Sequence, residues 1–287
     1  MTTPLMRDVF FRAQDGLRLH MRVYGIETGK RPVICLPGLA RTALDFDRLA
    51  QEIARERQVY ALNYRGRGLS DYDGDWTHYN LGTEADDIIT ALNFVSLKQA
   101  IFIGTSRGGI HTMNLAALYP NLVRAAVLND IGPVIEAKGL NRIKGYVGKL
   151  PPLLNWPMAV AVMKYAGGHF FPALSDHDWE DYARLTLKEE NGQLILNYDP
   201  ALSKTLEGID FPDPMPDMWA QFEALLHSPL MVIRGETSDI LAPTTLTQMQ
   251  ARHTGCRTLI VKGQGHAPLL LDAPSIAAIK AFITPLS

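Results

Sequence analysis

The sequence predicts an α/β fold, a mostly parallel, doubly wound sheet interrupted by one mainly helical insertion. Three observations carry that expectation. Up to about residue 131, short apolar runs bounded by turn residues alternate with amphipathic helical patterns, as in parallel strands joined by crossover helices. From Gly132 to about residue 220 the alternation stops, and prolines and bulky apolar side chains take over. After residue 228 the alternation resumes. The expected division is a core domain built from 1–131 and 226–287, with a helical cap formed by 132–225.

The elements follow in order. "LRLHMRVYG" alternates at period two and reads as an antiparallel strand with one covered face, whereas "PVICLPG", "QVYALNYRG", "AIFIGTS" and "AAVLND" are continuous β-rich runs, as in strands covered on both faces. Between them, "TALDFDRLAQEIARER", "LGTEADDIITALNFVS" and "GGIHTMNLAALYP" carry apolar residues at three and four spacing and read as helices. In the insertion, "DHDWEDYARLTLKEE" reads as helix between the Pro-rich breaks "LPPLLNWP" and "FPDPMPD". The chain closes with strand "PLMVIRGE", helix "APTTLTQMQARH", strand "RTLIVKG" and helix "PSIAAIKAFI".

Composition narrows the function. A chain of 287 residues with 47% hydrophobic content can bury a large core, and 28 basic against 30 acidic residues leave no surplus for nucleic acid or an anionic membrane. A small-molecule partner is expected. The two cysteines, Cys35 and Cys256, stand at strand edges without C-x-x-C spacing, which argues against a disulfide framework or a zinc site and for a reducing cytoplasm. No basic n-region precedes an apolar h-region, and no window reaches the roughly 18 apolar residues of a membrane span. H-E-x-x-H and the dinucleotide glycine fingerprint are also absent, so neither a metal nor a cofactor is expected.

"IFIGTSRGG" is where chemistry first shows. Ser106 stands between a buried strand and a helix, at the carboxyl edge of the sheet where open α/β folds gather ligands. Gly104 and Gly108 flank it, as a sharp turn demands if side chains at those positions would strike the neighbouring strand and helix. A serine here also suits a helix N-cap, and the two roles differ in where the hydroxyl points. To attack a carbonyl it needs a base. Of the 8 histidines, His266 in the loop "GQGHAPLL" after the last strand is best placed to reach the same edge. The base in turn needs a carboxylate to hold its tautomer, and Asp239 in "RGETSDILAP" leaves a strand at that edge. Glu236 is a weaker candidate.

Together these stretches resemble an α/β-hydrolase with a cap domain. "GTSRGG" matches the nucleophile elbow, "RGETSDILAP" the acid loop, "GQGHAPLL" the histidine loop, "CLPGLART" the oxyanion loop and "NYRGRGLSD" the Arg-Gly-x-Gly-x-Ser turn. The resemblance implies a triad of Ser106, Asp239 and His266, with the backbone N–H groups of Leu39 and Arg107 as oxyanion donors. Pro37 precedes Gly38 where many members have histidine, a change that leaves a backbone donor intact. Asp130, after the strand following the nucleophile helix, stands where haloalkane dehalogenases keep their carboxylate and is the alternative acid. A serine nucleophile separates the chain from those dehalogenases and from epoxide hydrolases, which use a carboxylate.

The expected activity is cleavage of a small or medium carboxylic ester or lactone through an acyl-enzyme. A carbon–carbon bond hydrolase of ring-cleavage products, a perhydrolase or acyltransferase, and a non-catalytic ligand-binding protein are the alternatives. Trp156, Met163, Tyr165 and Phe170 of the insertion are candidates to line the substrate pocket.

Overall fold

Strand order explains where the site lies. In the computed structural model, which describes residues 5–286, the chain begins with the antiparallel pair β1 (Met6–Arg12) and β2 (Arg18–Tyr24). The run "MRDVFFR" of β1 is an addition to the expected strands; its side chains are mostly exposed, so no apolar pattern betrays it. β3 (Val33–Leu36), β4 (Val59–Asn63), β5 (Ala100–Thr105), β6 (Val123–Asn129), β9 (Leu230–Gly235) and β10 (Arg257–Val261) then form a parallel set. The 8-stranded sheet has the order β1-β2-β4-β3-β5-β6-β9-β10, and β2 joins β4 antiparallel.

Helices α1 (Asp47–Ile53), α2 (Leu81–Phe94), α3 (Arg107–Leu118), α8 (Pro243–Arg252) and α9 (Ala273–Ile283) flank the sheet. They close two apolar layers. On one face Ile34, Phe102, Leu128 and Val232 pack with Met113 of α3; on the other Val33, Ile101, Val127 and Ile233 pack with Phe46, Leu49 and Ile279. Adjacent strand residues thus enter opposite cores, which is why these strands read as unbroken apolar runs.

β6 pairs directly with β9, so everything between them is an excursion from the sheet. It contains α4 (Ala137–Tyr146), α5 (Trp156–Gly167), α6 (Asp176–Thr186), α7 (Trp219–Glu223) and an antiparallel hairpin, β7 (Leu187–Glu190) with β8 (Gln193–Leu196). The hairpin corrects the helical reading of "LTLKEE": Asn191 and Gly192 both take positive φ (52° and 74°), and a two-residue turn of that kind folds the flanking segments into a ribbon. Leu187, Leu194, Leu196 and Tyr198 join Val147, Leu153 and Ala159 in a third, smaller apolar cluster. No helix among the described residues is long and apolar enough to cross a membrane.

Candidate active site

Ser106 occupies the turn between β5 and α3 with φ 51° and ψ −112°, a conformation L-residues rarely adopt. Its side chain makes no capping hydrogen bond to α3. The glycines explain how the turn closes: a Cβ on Gly104 would lie 2.3 Å from the Gly108 carbonyl oxygen, and one on Gly108 would lie 2.0 Å from that of Leu36. The obstacles are backbone, so only hydrogen fits at either position.

The loop after β10 brings His266 to this turn. Ser106 Oγ lies 2.8 Å from His266 Nε2, and His266 Nδ1 lies 2.8 Å from Asp130 Oδ2. With its proton on Nδ1, the imidazole donates to Asp130 and accepts from the serine hydroxyl. The other acceptor positions of Asp130 are also used: Gly235 N donates to Oδ1 (2.8 Å) and Ser238 Oγ to Oδ2 (2.6 Å). The carboxylate is fully buried, and three donors compensate its removal from water.

Of the two aspartates named from the sequence, the one that meets the imidazole is Asp130, the alternative acid. Asp239 makes no hydrogen bond to the imidazole and receives two from Arg142 of α4, at 2.6 and 2.8 Å. Burial pushes its carboxyl up, but the hydrogen bonds and charge of Arg142 outweigh this and hold it below the ordinary range. The backbone decides the matter. Asp130 leaves β6 with φ 57°, and its own N–H is tied to Ile233 O of the neighbouring strand (2.7 Å), so the side chain swings toward the histidine loop. The loop after β9 supplies donors to this carboxylate instead of the carboxylate itself. Glu236 pairs with Lys262 at 2.7 Å.

The glycine of "CLPGLART" approaches the same point: a Cβ on Gly38 would lie 3.9 Å from Ser106 Cβ. Among the described residues, neither Leu39 N nor Arg107 N donates a hydrogen bond. A buried ionic cluster anchors both segments. Arg67 Nε donates to Leu39 O (2.9 Å), Arg67 pairs with Glu84 (2.9 Å), and Glu84 receives Arg107 Nε (2.5 Å) and His111 Nε2 (3.0 Å). Burial alone would raise the Glu84 carboxyl, but the charges of Arg67 and Arg107 and the His111 hydrogen bond hold it well below the carboxylate range. The Arg107 side chain is thus committed to Glu84. The Arg-Gly-x-Gly-x-Ser turn acquires a concrete role here, because Gly66 and Gly68 take positive φ (72° and 58°) around Arg67.

Ser106 and His266 open into a cavity of about 720 Å³ between the sheet edge and the insertion. Two of the four expected pocket residues, Met163 and Phe170, line it. The other two do not. Tyr165 is 92% exposed on the outer face of α5, and Trp156 packs against the insertion's own cluster with Arg184 4.7 Å above its ring. Four polar lining residues, Arg41, Arg142, Tyr146 and Tyr182, were not among the four expected pocket residues. Their only sequence signal is spacing: 142 and 146 are four apart on one helix and share a face.

Residues 31–155 match a family described as alpha/beta hydrolase fold. The crystal structure of an alpha/beta hydrolase from Novosphingobium aromaticivorans is 38% identical, covers 99% of each chain and superposes with a TM-score of 0.92. The chain belongs to the α/β-hydrolase fold family. Among curated α/β-hydrolase relatives, a 3-hydroxybutyrate-oligomer hydrolase of Cupriavidus necator is 29% identical over 276 residues, 93% of both chains. A 2-(acetamidomethylene)succinate hydrolase of Mesorhizobium japonicum is 25% identical over 248 residues, 84% of this chain and 83% of its own.

Proposed function

We propose that this α/β-hydrolase is a serine hydrolase cleaving a small or medium carboxylic ester or lactone through an acyl-enzyme, with Ser106, His266 and Asp130 as its catalytic residues. One observation carries the reading: two successive 2.8 Å contacts link a half-buried alcohol at the cavity, an imidazole and a buried carboxylate. Ser106 Oγ attacks the carbonyl carbon while His266 Nε2 takes its proton. Asp130 keeps Nδ1 protonated and stabilises the imidazolium. The unused N–H groups of Leu39 and Arg107 receive the developing oxyanion, and the N-terminus of α3 adds its partial positive charge. His266 then protonates the departing alcohol, and water repeats the sequence on the acyl-enzyme.

In the same reading, residues 132–225 act as a cap that walls the cavity and limits water around the reacting carbonyl. The Cupriavidus necator relative extends the range of substrates worth trying to oligomers of a hydroxy acid. The test is active-site labelling with a fluorophosphonate, together with hydrolysis of p-nitrophenyl esters of graded chain length. Wild type should be labelled and release nitrophenol in a burst, and Ser106→Ala should do neither. An unlabelled, inactive wild type would leave a binding protein as the better account.

A further inference from the structure

The cavity is larger than a triad needs, and its charged lining is lopsided. Arg41, Arg142 and Lys149 face it against a single lining carboxylate, Asp45. The two guanidiniums are not equivalent. Arg41 spends its nitrogens on the protein: Nε and Nη2 grip Asp45 at 2.8 and 2.7 Å, and Nη1 donates to Thr186 Oγ1. Arg142 gives Nε and Nη2 to Asp239, but its Nη1 donates to no acceptor among the described residues. Its orientation is nevertheless fixed, because the guanidinium carbon stacks 4.5 Å above the Phe170 ring while the Asp239 pair holds the opposite edge. An arginine held on two sides has little rotamer freedom left to lose when a ligand arrives.

Tyr146 stands one helical turn further along α4 and lines the cavity beside it, with the guanidinium carbon of Arg142 5.9 Å from its ring. A phenol keeps its proton at any working pH, so this half-exposed hydroxyl is a neutral donor. It donates to no protein acceptor among the described residues. A charged nitrogen and a hydroxyl, close enough to interact with each other and neither donating elsewhere in the protein among the described residues, therefore share one wall of a largely apolar chamber. Two donors match the two oxygens of a carboxylate, whereas a phosphate would leave further acceptors unpaired there.

We propose that Arg142 Nη1 and the Tyr146 hydroxyl form a subsite for a substrate carboxylate, so that the favoured esters carry a free acid group at a distance from the bond cleaved. This rests on the serine-hydrolase reading above, since it places the reacting carbonyl at Ser106. The reaction itself is unchanged: water adds, one ester bond breaks, and the remote carboxylate is neither consumed nor protonated.

The test compares nitrophenyl hemiesters of glutaric and adipic acid with the pentanoyl and hexanoyl nitrophenyl esters of matched length. In wild type, kcat/KM for at least one hemiester should exceed that of its neutral partner by roughly 10- to 100-fold, the range of a charge-assisted hydrogen bond, chiefly through KM. Arg142→Leu combined with Asp239→Asn, which leaves no lone carboxylate behind, should bring the ratio to one or below. Tyr146→Phe should lower it in part and carries the same readout if the double variant does not fold. Neutral esters preferred by a fluorophosphonate-reactive wild type, or a ratio indifferent to both variants, would overturn the subsite and leave the catalytic reading standing. A wild type that the fluorophosphonate does not label would instead remove the catalytic reading on which the subsite depends.

Discussion

Two aspartates near one imidazole offer a direct contest at the scale of single residues. Asp130→Asn keeps the side chain's shape but replaces a charged acceptor with an amide that can present a donor to Nδ1, so it should favour the wrong tautomer and lower kcat by roughly 10³- to 10⁴-fold. Asp239→Asn leaves the contact between Asp130 and His266 in place, and its effect on a neutral ester should be smaller by at least two orders of magnitude. Steady-state kinetics on p-nitrophenyl butyrate decides the ranking, and the reverse order would return the acid role to Asp239. Ser106 and His266 were legible because their neighbours are glycines whose purpose is geometric. The choice of acid was not, because both aspartates leave a parallel strand at the same edge. What separates them is the positive φ of Asp130 and an arginine 97 positions from Asp239 that captures its carboxylate. Neither is written near either aspartate in sequence.

At the scale of elements, the elbow is built around absent side chains. Gly104→Ala and Gly108→Ala each force a Cβ to within 2.3 Å of a backbone oxygen, in a strand and a helix that both pack on the core. Each should cost about 3 kcal/mol or more, above the usual range for an overpacked site because backbone must move. Gly74→Ala is the control, since nothing lies within 4 Å of its added methyl and its φ is not positive. Thermal melts should rank the three accordingly, and a Gly108→Ala protein as stable as wild type would disprove the packing argument. The same scale shows what sequence patterns miss. β7 and β8 are four residues each, too short for a period to declare itself, and the apolar spacing of α6 runs on into β7. The informative signal was Asn191-Gly192, a dipeptide suited to a tight hairpin, immediately after a stretch already accounted for as helix. The parallel strands were legible for the opposite reason, since burial on both faces leaves long apolar runs between turn residues.

Across the whole molecule, buried ionisable groups make stability depend on pH in a direction that can be worked out. His111 and His20 are buried beside Glu84 and Asp8, and burial lowers both imidazoles below 6.5 despite the raising effect of those carboxylates. The unfolded chain therefore binds protons at a higher pH than the native one does, and stability must fall as pH drops through about 6.5. Glu84 acts lower on the scale. Its folded carboxyl is held well below its ordinary 4.5, so the stability it confers is complete above that value and is lost as pH falls beneath it. Asp87 opposes this, because burial raises it above 3.8 despite Arg65. The urea midpoint should therefore decline from pH 8 to pH 5 and more steeply below. His111→Gln can still donate to Glu84 and does not titrate, so it should flatten the upper part of the decline, with His20 responsible for what remains. Glu84→Gln should cost about 3 to 5 kcal/mol at neutral pH, because Arg67 and Arg107 would be left buried without their shared counter-charge. A midpoint that stays level or rises between pH 8 and pH 5 would mean that the two imidazoles are charged in the native state. The cluster behind Leu39 and Arg107 would then carry one more positive charge than it does with a neutral His111.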